Sequence, residues 1–244
     1  MWKRLKDILN EVDAVMITSA PNLRYFSGFC GGEGVCLIGN GFRYLFVDSR
    51  YTVAAKAEAR DFEVIEFKGG RLCDELNSKL SAHSIENLGF EDREMTAAEF
   101  EMYREKLSQK TMTGLGSRLT MLRMIKTDEE IRLMKAAEGI GDMAFAEVLP
   151  MIKAGVSECE IAAELEYRMR RRGADKTSFD TIVVSGIKSS MPHGMPSGKK
   201  LERGDFVTMD FGCVYNGYCS DMTRTVVIET ASDEQIKIYN TVLK

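Results

Sequence analysis

At 244 residues, 44% hydrophobic and 29% charged, the chain suits two modest domains or one large one, with apolar surface enough for packed cores. A net charge of -4 gives no electrostatic reason to expect nucleic acid or an anionic membrane as a partner. No stretch approaches the roughly 18 apolar residues of a membrane span, and residues 1–9 carry Lys3, Arg4, Lys6 and Asp7 with no apolar leader behind them. Six cysteines (Cys30, Cys36, Cys73, Cys159, Cys213 and Cys219) show no C-x-x-C spacing and read as reduced residues of a cytoplasmic protein.

Trp2, Leu5, Ile8 and Leu9 suggest a short amphipathic helix, and residues 14–18 (AVMIT) a strand. Residues 19–29 lead to a Gly31-Gly32-Glu33-Gly34 loop that lacks the Lys and following helix of a phosphate cradle. Residues 35–39 and 42–48 form a hairpin about Asn40-Gly41. Helix-like 51–60, strand-like 63–67, helix-like 72–80, strand-like 87–91 and helix-like 97–107 follow, the last capped by Thr96 with Glu99. Strands alternating with helices indicate an α/β domain over residues 1–117, with a junction at 113–117.

The pattern then changes to a second domain, residues 118–244. Thr127 with Glu130 and Ser157 with Glu160 are capping boxes that open two amphipathic helices. The second ends in the basic run Arg168 to Arg172, which reads as a solvated helix end. A strand over 180–185, a loop over 186–200, a long hairpin over 201–227 and a helix capped by Ser232 with Gln235 complete the sequence.

The hairpin carries the strongest local signal. Asn216-Gly217 suits a two-residue turn in which both positions take positive φ. That turn places Tyr215 opposite Tyr218, Val214 opposite Cys219, Cys213 opposite Ser220 and Gly212 opposite Asp221. Asp210 then shares a face with Asp221 as its diagonal neighbour, about 7–8 Å away along the backbone. Cys213 and Cys219 fall on opposite faces, which argues against a disulfide. Two carboxylates aimed at one spot repel, and a cation between them removes that cost. A Lys or Arg from elsewhere would serve as well, and two solvated acids on an exposed face is the plain alternative. Asp210 lies in an apolar strand, which favours a partnered carboxylate. Arg224 points to the other face by parity.

Only two histidines are present. His83 closes a helix, where a capping or surface role is expected. His193 lies in Met191-Pro192-His193-Gly194, on a loop stiffened by Pro192 and Pro196, where an imidazole can carry a proton or donate a hydrogen bond. Arg203-Gly204-Asp205 spells an adhesion tripeptide by chance.

Pro192-His193-Gly194, Gly204-Asp205, Met209-Asp210-Phe211-Gly212 and the run Gly217-Tyr218-Cys219-Ser220-Asp221-Met222-Thr223-Arg224-Thr225 together resemble the first half of the catalytic domain of pita-bread metallopeptidases, in the Xaa-Pro aminopeptidase and prolidase group. The helix start Lys126-Thr127-Asp128-Glu129-Glu130-Ile131 resembles the entry to that domain. Pro21-Asn22-Leu23-Arg24-Tyr25-Phe26-Ser27-Gly28-Phe29 and Asp48-Ser49-Arg50-Tyr51 resemble the amino-terminal domain shared with creatinase. The implied fold is a creatinase/prolidase-type α/β amino-terminal domain followed by the first half of an α+β pita-bread domain. The implied chemistry is hydrolysis of the bond before proline in peptides, by a homodimer holding two divalent ions, with manganese first and cobalt or zinc as alternatives. Asp210 would bind one ion or bridge two, Asp221 would bridge both, and His193 would hydrogen-bond the substrate or intermediate.

The family uses five metal ligands, two Asp, one His and two Glu. No histidine follows Asp221 here, and the later Glu229 and Glu234 lie outside the family's ligand motifs. The expectation is an incomplete, inactive portion of a peptidase. A non-catalytic pita-bread binding or scaffold module is the alternative, and creatinase chemistry a third.

Overall fold

In the computed structural model, which describes residues 1–244, the apolar runs of the first part of the chain become the middle of a six-stranded sheet. Its strands are β1 (Ala14–Ile17), β2 (Val35–Gly39), β3 (Phe42–Val47), β4 (Glu63–Glu66), β5 (Asn87–Phe90) and β6 (Thr111–Gly114), in the order β4-β3-β2-β1-β5-β6. β2 runs antiparallel to both β1 and β3, while β1–β5, β3–β4 and β5–β6 are parallel. β1 and β2 are buried along their whole length, because helices cover both faces.

Val15, Ile17, Cys36, Ile38, Leu45 and Val47 meet α1 (Ala20–Ser27), α2 (Thr52–Glu58) and α5 (Arg118–Leu122) on one side. Ala14, Met16, Leu37, Tyr44 and Phe46 meet α3 (Leu72–Ala82) and α4 (Ala97–Lys106) on the other.

Two carboxylates sit at the ends of the parallel β1–β5 pair. Asp13 accepts the backbone N–H groups of Glu86 and Asn87 at 2.9 and 2.8 Å. Glu91, buried just beyond β5, accepts from the N–H of Thr18 (2.6 Å), the N–H and hydroxyl of Ser19 (2.9 and 2.7 Å) and the Asn22 amide (2.6 Å).

Several local expectations change here. Residues 1–9 form two short 3-10 turns, Trp2–Leu5 and Ile8–Asn10, instead of one helix. The three-residue spacing of Trp2, Leu5 and Ile8 suits three residues per turn. Residues 19–29 contain α1, with Pro21 in its first turn and Gly28 closing it at φ 83°. The hairpin about Asn40-Gly41 does form, pairing Gly39 with Phe42, with positive φ at Gly41 and not at Asn40. Residues 113–117 are not a bare junction: β6 ends at Gly114, and α5 packs Leu119 and Leu122 into the first core. The chain divides into the units Met1–Ile125 and Lys126–Lys244. His83 caps α3, stacks on Phe42 with 3.8 Å between ring centroids, and its Nε2 lies 2.9 Å from the Tyr44 hydroxyl.

In the second unit α6 (Asp128–Val148) and α7 (Glu158–Arg171) cover the strands β7 (Lys176–Thr177), β8 (Ile182–Ser185), β9 (Phe206–Phe211), β10 (Cys213–Tyr215), β11 (Tyr218–Cys219) and β12 (Met222–Val227). These make two three-stranded antiparallel sheets, β12-β9-β8 and β11-β10-β7. Ala137, Ile140, Ala144, Ile161, Leu165 and Met169 pack on Val183, Val207, Met209, Phe211 and Met222. The final helix is α8 (Asp233–Leu243). All four capping boxes form: Thr96/Glu99, Thr127/Glu130, Ser157/Glu160 and Ser232/Gln235.

The basic run at the end of α7 is more than solvated. Arg168 pairs with Glu147 at 2.6 Å and Glu164 at 3.1 Å, and Arg172 also pairs with Glu147, tying α7 to α6.

The long hairpin passes from one small sheet to the other at Gly212. A Cβ there would lie 2.1 Å from the Ser220 carbonyl oxygen and 2.5 Å from the Ser178 hydroxyl. Backbone cannot yield as a side-chain tip can. Gly212→Ala is therefore expected to lower the unfolding free energy by about 2–3 kcal/mol, the upper part of the overpacking range, measured by urea denaturation. Unchanged stability would show that the strands separate freely at this point.

Candidate active site

The Asn216-Gly217 turn forms as its sequence predicts, with φ of 46° and 75° at its two residues. Pairing starts at Tyr215↔Tyr218 and Val214↔Cys219 and continues, past the bend, from Phe211↔Met222 to Phe206↔Val227. Between these, the Ser220 N–H donates to the Cys213 carbonyl at 2.8 Å, so the register is unbroken. Asp210 pairs with Thr223, and Asp221 falls opposite Gly212, the diagonal relation expected. All six cysteines are free, with Cys213 buried and Cys219 exposed.

β9 alternates strictly. Val207, Met209 and Phe211 are buried against the helices, while Phe206, Thr208 and Asp210 are only half-buried on the other face. The apolar neighbours of Asp210 in sequence are thus not its neighbours in space, and burial does not force a partner on it. Its Oδ1 accepts the Thr223 hydroxyl at 3.2 Å. Asp221 is exposed, and its backbone N–H donates to Glu138 of α6 at 3.3 Å. Arg224 reaches Asp142 of α6 at 2.7 Å, on the opposite face from Asp210.

Two carboxylates on one face are hard oxygen donors of the kind a divalent cation takes. They fit as the acidic part of such a site. They do not fill the shell of even one ion, which needs about four to eight ligands in all. No group of three or more His, Cys, Asp or Glu side chains comes together to hold a metal.

His193 lies on the loop between β8 and β9, and no hydrogen bond joins it to either aspartate. Its ring is exposed, whereas the next residue, Gly194, is buried, with space for a Cβ taken by Val184 Cγ1 at 2.6 Å. The loop begins with a 3-10 turn, Gly186–Ser190. Asp205, the last residue of the Arg-Gly-Asp tripeptide, is turned into the chain, accepting Lys199 Nζ at 2.7 Å and the Glu202 N–H at 3.0 Å.

Glu158 is the residue that sequence reasoning missed. It follows the Ser157 cap of α7, where an acid suits the helix N-terminus, yet its side chain is fully buried. Oε1 accepts the Ser185 N–H and hydroxyl at 2.8 and 2.9 Å. Oε2 accepts Lys188 Nζ at 2.6 Å and the Ser197 N–H and hydroxyl at 3.1 and 2.7 Å. Burial pushes its pKa up, but the donors from Lys188, Ser197 and Ser185 outweigh that and leave it below the ordinary value. Two features of the sequence hide it: the capping box draws the eye to Glu160, and the partners of Glu158 lie far along the chain.

Residues 132–244 match metallopeptidase family M24, and residues 2–125 match the creatinase/prolidase N-terminal domain. An uncharacterized peptidase, YqhT, of Bacillus subtilis (strain 168) is 40% identical over 98% of this chain and 68% of its own length. The structure of an Xaa-Pro dipeptidase from Bacillus anthracis superposes with a TM-score of 0.94 at 39% identity, covering 99% of this chain and 68% of that one. An X-Pro aminopeptidase from Thermotoga maritima MSB8 gives 0.90 at 38% identity, covering 100% and 69%. The chain thus spans about two thirds of the length of these relatives.

Two depressed carboxylates at the start of α7 set an acid limit. Glu160 is held at about 2, by the Ser157 hydroxyl and N–H first and then by Lys200; Glu158 is lowered as described. A group whose folded pKa is depressed contributes stability above its unfolded value, here 4.5, and loses it as pH falls toward the folded value. Urea denaturation between pH 7 and 3 is expected to show stability falling below about pH 4.5. The fall should be shallower in Glu158→Gln and in Glu160→Gln, and parallel curves for all three proteins would contradict the assignment.

Proposed function

The chain belongs to metallopeptidase family M24 and carries a creatinase/prolidase N-terminal domain, and from that membership we propose that its residues serve a metal-dependent peptidase cleaving the bond that precedes proline. The observation that carries this reading is the diagonal placement of Asp210 and Asp221 across the Asn216-Gly217 hairpin. In this reading the two aspartates hold divalent metal, manganese before cobalt or zinc, and further donors come from residues other than these 244. Such an ion supplies a water of lowered pKa and charge stabilisation at the scissile carbonyl.

The chain's own residues do the rest of what is proposed. The Thr223 hydroxyl donates to Asp210 Oδ1 and helps to orient the carboxylate that would hold the ion. Asp221, exposed at the bend, keeps both oxygens toward solvent or ligand. His193 extends from its loop to hydrogen-bond the substrate. No helix is long and apolar enough to cross a membrane, and six free cysteines suit a reducing cytoplasm. A homodimer is part of the same proposal.

A second reading rests on one observation, that these residues alone gather no group of three metal-ligating side chains. On that basis the chain acts as a non-catalytic binding or scaffold module of the same fold.

Assay of the full-length gene product on Xaa-Pro dipeptides and on longer Xaa-Pro peptides, with manganese, cobalt or zinc added, decides between them. Cleavage before proline is expected, and the preferred length separates dipeptidase from aminopeptidase. Asp210→Asn and Asp221→Asn are each expected to lower kcat/KM by more than the roughly 10–100-fold typical of residues that merely support metal ligands. His193→Ala should cost about 10²–10³-fold in kcat, the scale of one hydrogen-bond donor lost from the reacting centre. Hydrolysis of neither substrate class would sink the peptidase reading and favour the module.

A further inference from the structure

The loop that carries His193 has almost nothing apolar to hold it. Ile187 is 86% exposed, Met191 52% and Met195 60%. Between Ser185 and Ser197 only Gly194 is buried. A segment with so few buried contacts should open readily, yet a single carboxylate binds both of its ends.

We propose that Glu158 is the positioning residue of the His193 loop: its buried carboxylate clamps the entry of the loop at Ser185 and Lys188 to the exit at Ser197, and so fixes where the imidazole is presented. The inference rests on the reading of His193 as substrate-facing.

The geometry divides the work between the two oxygens. Oε1 takes the entry, through the N–H and hydroxyl of Ser185. Oε2 takes the exit, through the N–H and hydroxyl of Ser197, and also Lys188. Lys188 closes the bracket from the loop side, donating to the Met195 carbonyl and the Ser197 hydroxyl, both at 3.0 Å. The helix behind Glu158 adds two backbone bonds. The N–H of Glu158 reaches the Lys199 carbonyl and that of Cys159 the Ser197 carbonyl, both at 3.1 Å. First-turn N–H groups of a helix have no partner within it, so the start of α7 satisfies its own donors with the loop's exit. Ile161, Leu165 and Met169 root that helix in the core, which makes α7 the rigid body against which the loop is set.

The N–H groups of Ser185 and Ser197 and the Lys188 ammonium can only donate, so a neutral amide of the same shape satisfies fewer of them than the carboxylate does. The Glu158→Gln substitution would turn an NH2 toward donors and leave the Lys188 ammonium without its counter-charge. Buried donors left unpaired are costly, and charged ones more so.

The test reads the loop directly and needs no turnover. In hydrogen–deuterium exchange, Glu158→Gln is expected to speed exchange over residues 186–198 by at least about tenfold, the scale of one lost charged hydrogen bond, while α6 and the six-stranded sheet keep their protection. The His193 imidazole NMR signals should move toward those of an unstructured histidine, with His83, packed on Phe42, as the internal reference. Lys188→Met removes one partner without touching the core and is expected to give a smaller rise over the same residues; it also serves if Glu158→Gln does not fold. Unchanged exchange and an unchanged His193 spectrum in a folded variant would overturn the proposal, and so would a uniform rise across the whole unit. Neither result depends on peptide hydrolysis. A rigid loop therefore tells against this inference alone, and lack of cleavage tells against the peptidase reading alone.

Discussion

The second unit depends on one turn. Both residues of Asn216-Gly217 take positive φ, a conformation that fits the right-handed twist of the strands it joins. With that turn set, no freedom remains in the pairing of β9 with β12. Val207, Met209, Phe211 and Met222 go to the helices, and Asp210 and Thr223 go to the other face. A slip of one residue would exchange these sets and bury the acids. The hairpin tip is fastened as well, since the Tyr218 hydroxyl donates to Glu130 at 3.1 Å. Glu130 is the buried acid of the capping box at the start of α6, so one carboxylate both caps the helix and anchors the hairpin.

What was legible in the sequence was whatever is decided within a few residues. The four capping boxes, the Asn-Gly turns and the apolar runs are local, and they placed most helices and strands. The register followed from the turn, and with it the shared face of Asp210 and Asp221. The environment of Asp210 was misjudged because neighbours along a strand point alternately to opposite faces. Helix α1 was missed because its signals are a Pro at the start and a Gly at the end, not a periodic apolar stripe. Nothing near Glu158 in the sequence announces its partners, which are 27 to 39 residues away. The bridges from Arg168 and Arg172 to Glu147 are of the same kind: the helix is local, but the pairing belongs to the packing of two helices.

The start of α7 shows how far one short segment can be used. Ser157 and Glu160 close the cap on each other, and Glu158 between them turns inward to the loop. The helix end, its cap and the loop's two ends thus share a few atoms. In the proposed reading, a change at the cap would reach the loop through this carboxylate. It also explains why an exposed, apolar-poor segment follows one path over the sheet, with Gly194 seated against Val184.

In the first unit the same problem of register has a different solution. β1 is apolar on both faces, so sliding it past β5 by one residue would replace buried side chains by other buried side chains. Hydrophobic patterning therefore says little about where the two strands should stop. The stops are electrostatic. Asp13 grips the start of β5 through the N–H groups of Glu86 and Asn87, and Glu91 beyond its end grips the residues that follow β1. Each carboxylate belongs to one strand and binds backbone next to the other, at opposite ends of the pair. The two act as a ruler of fixed length, and an apolar pair of strands takes its alignment from carboxylates at its two ends.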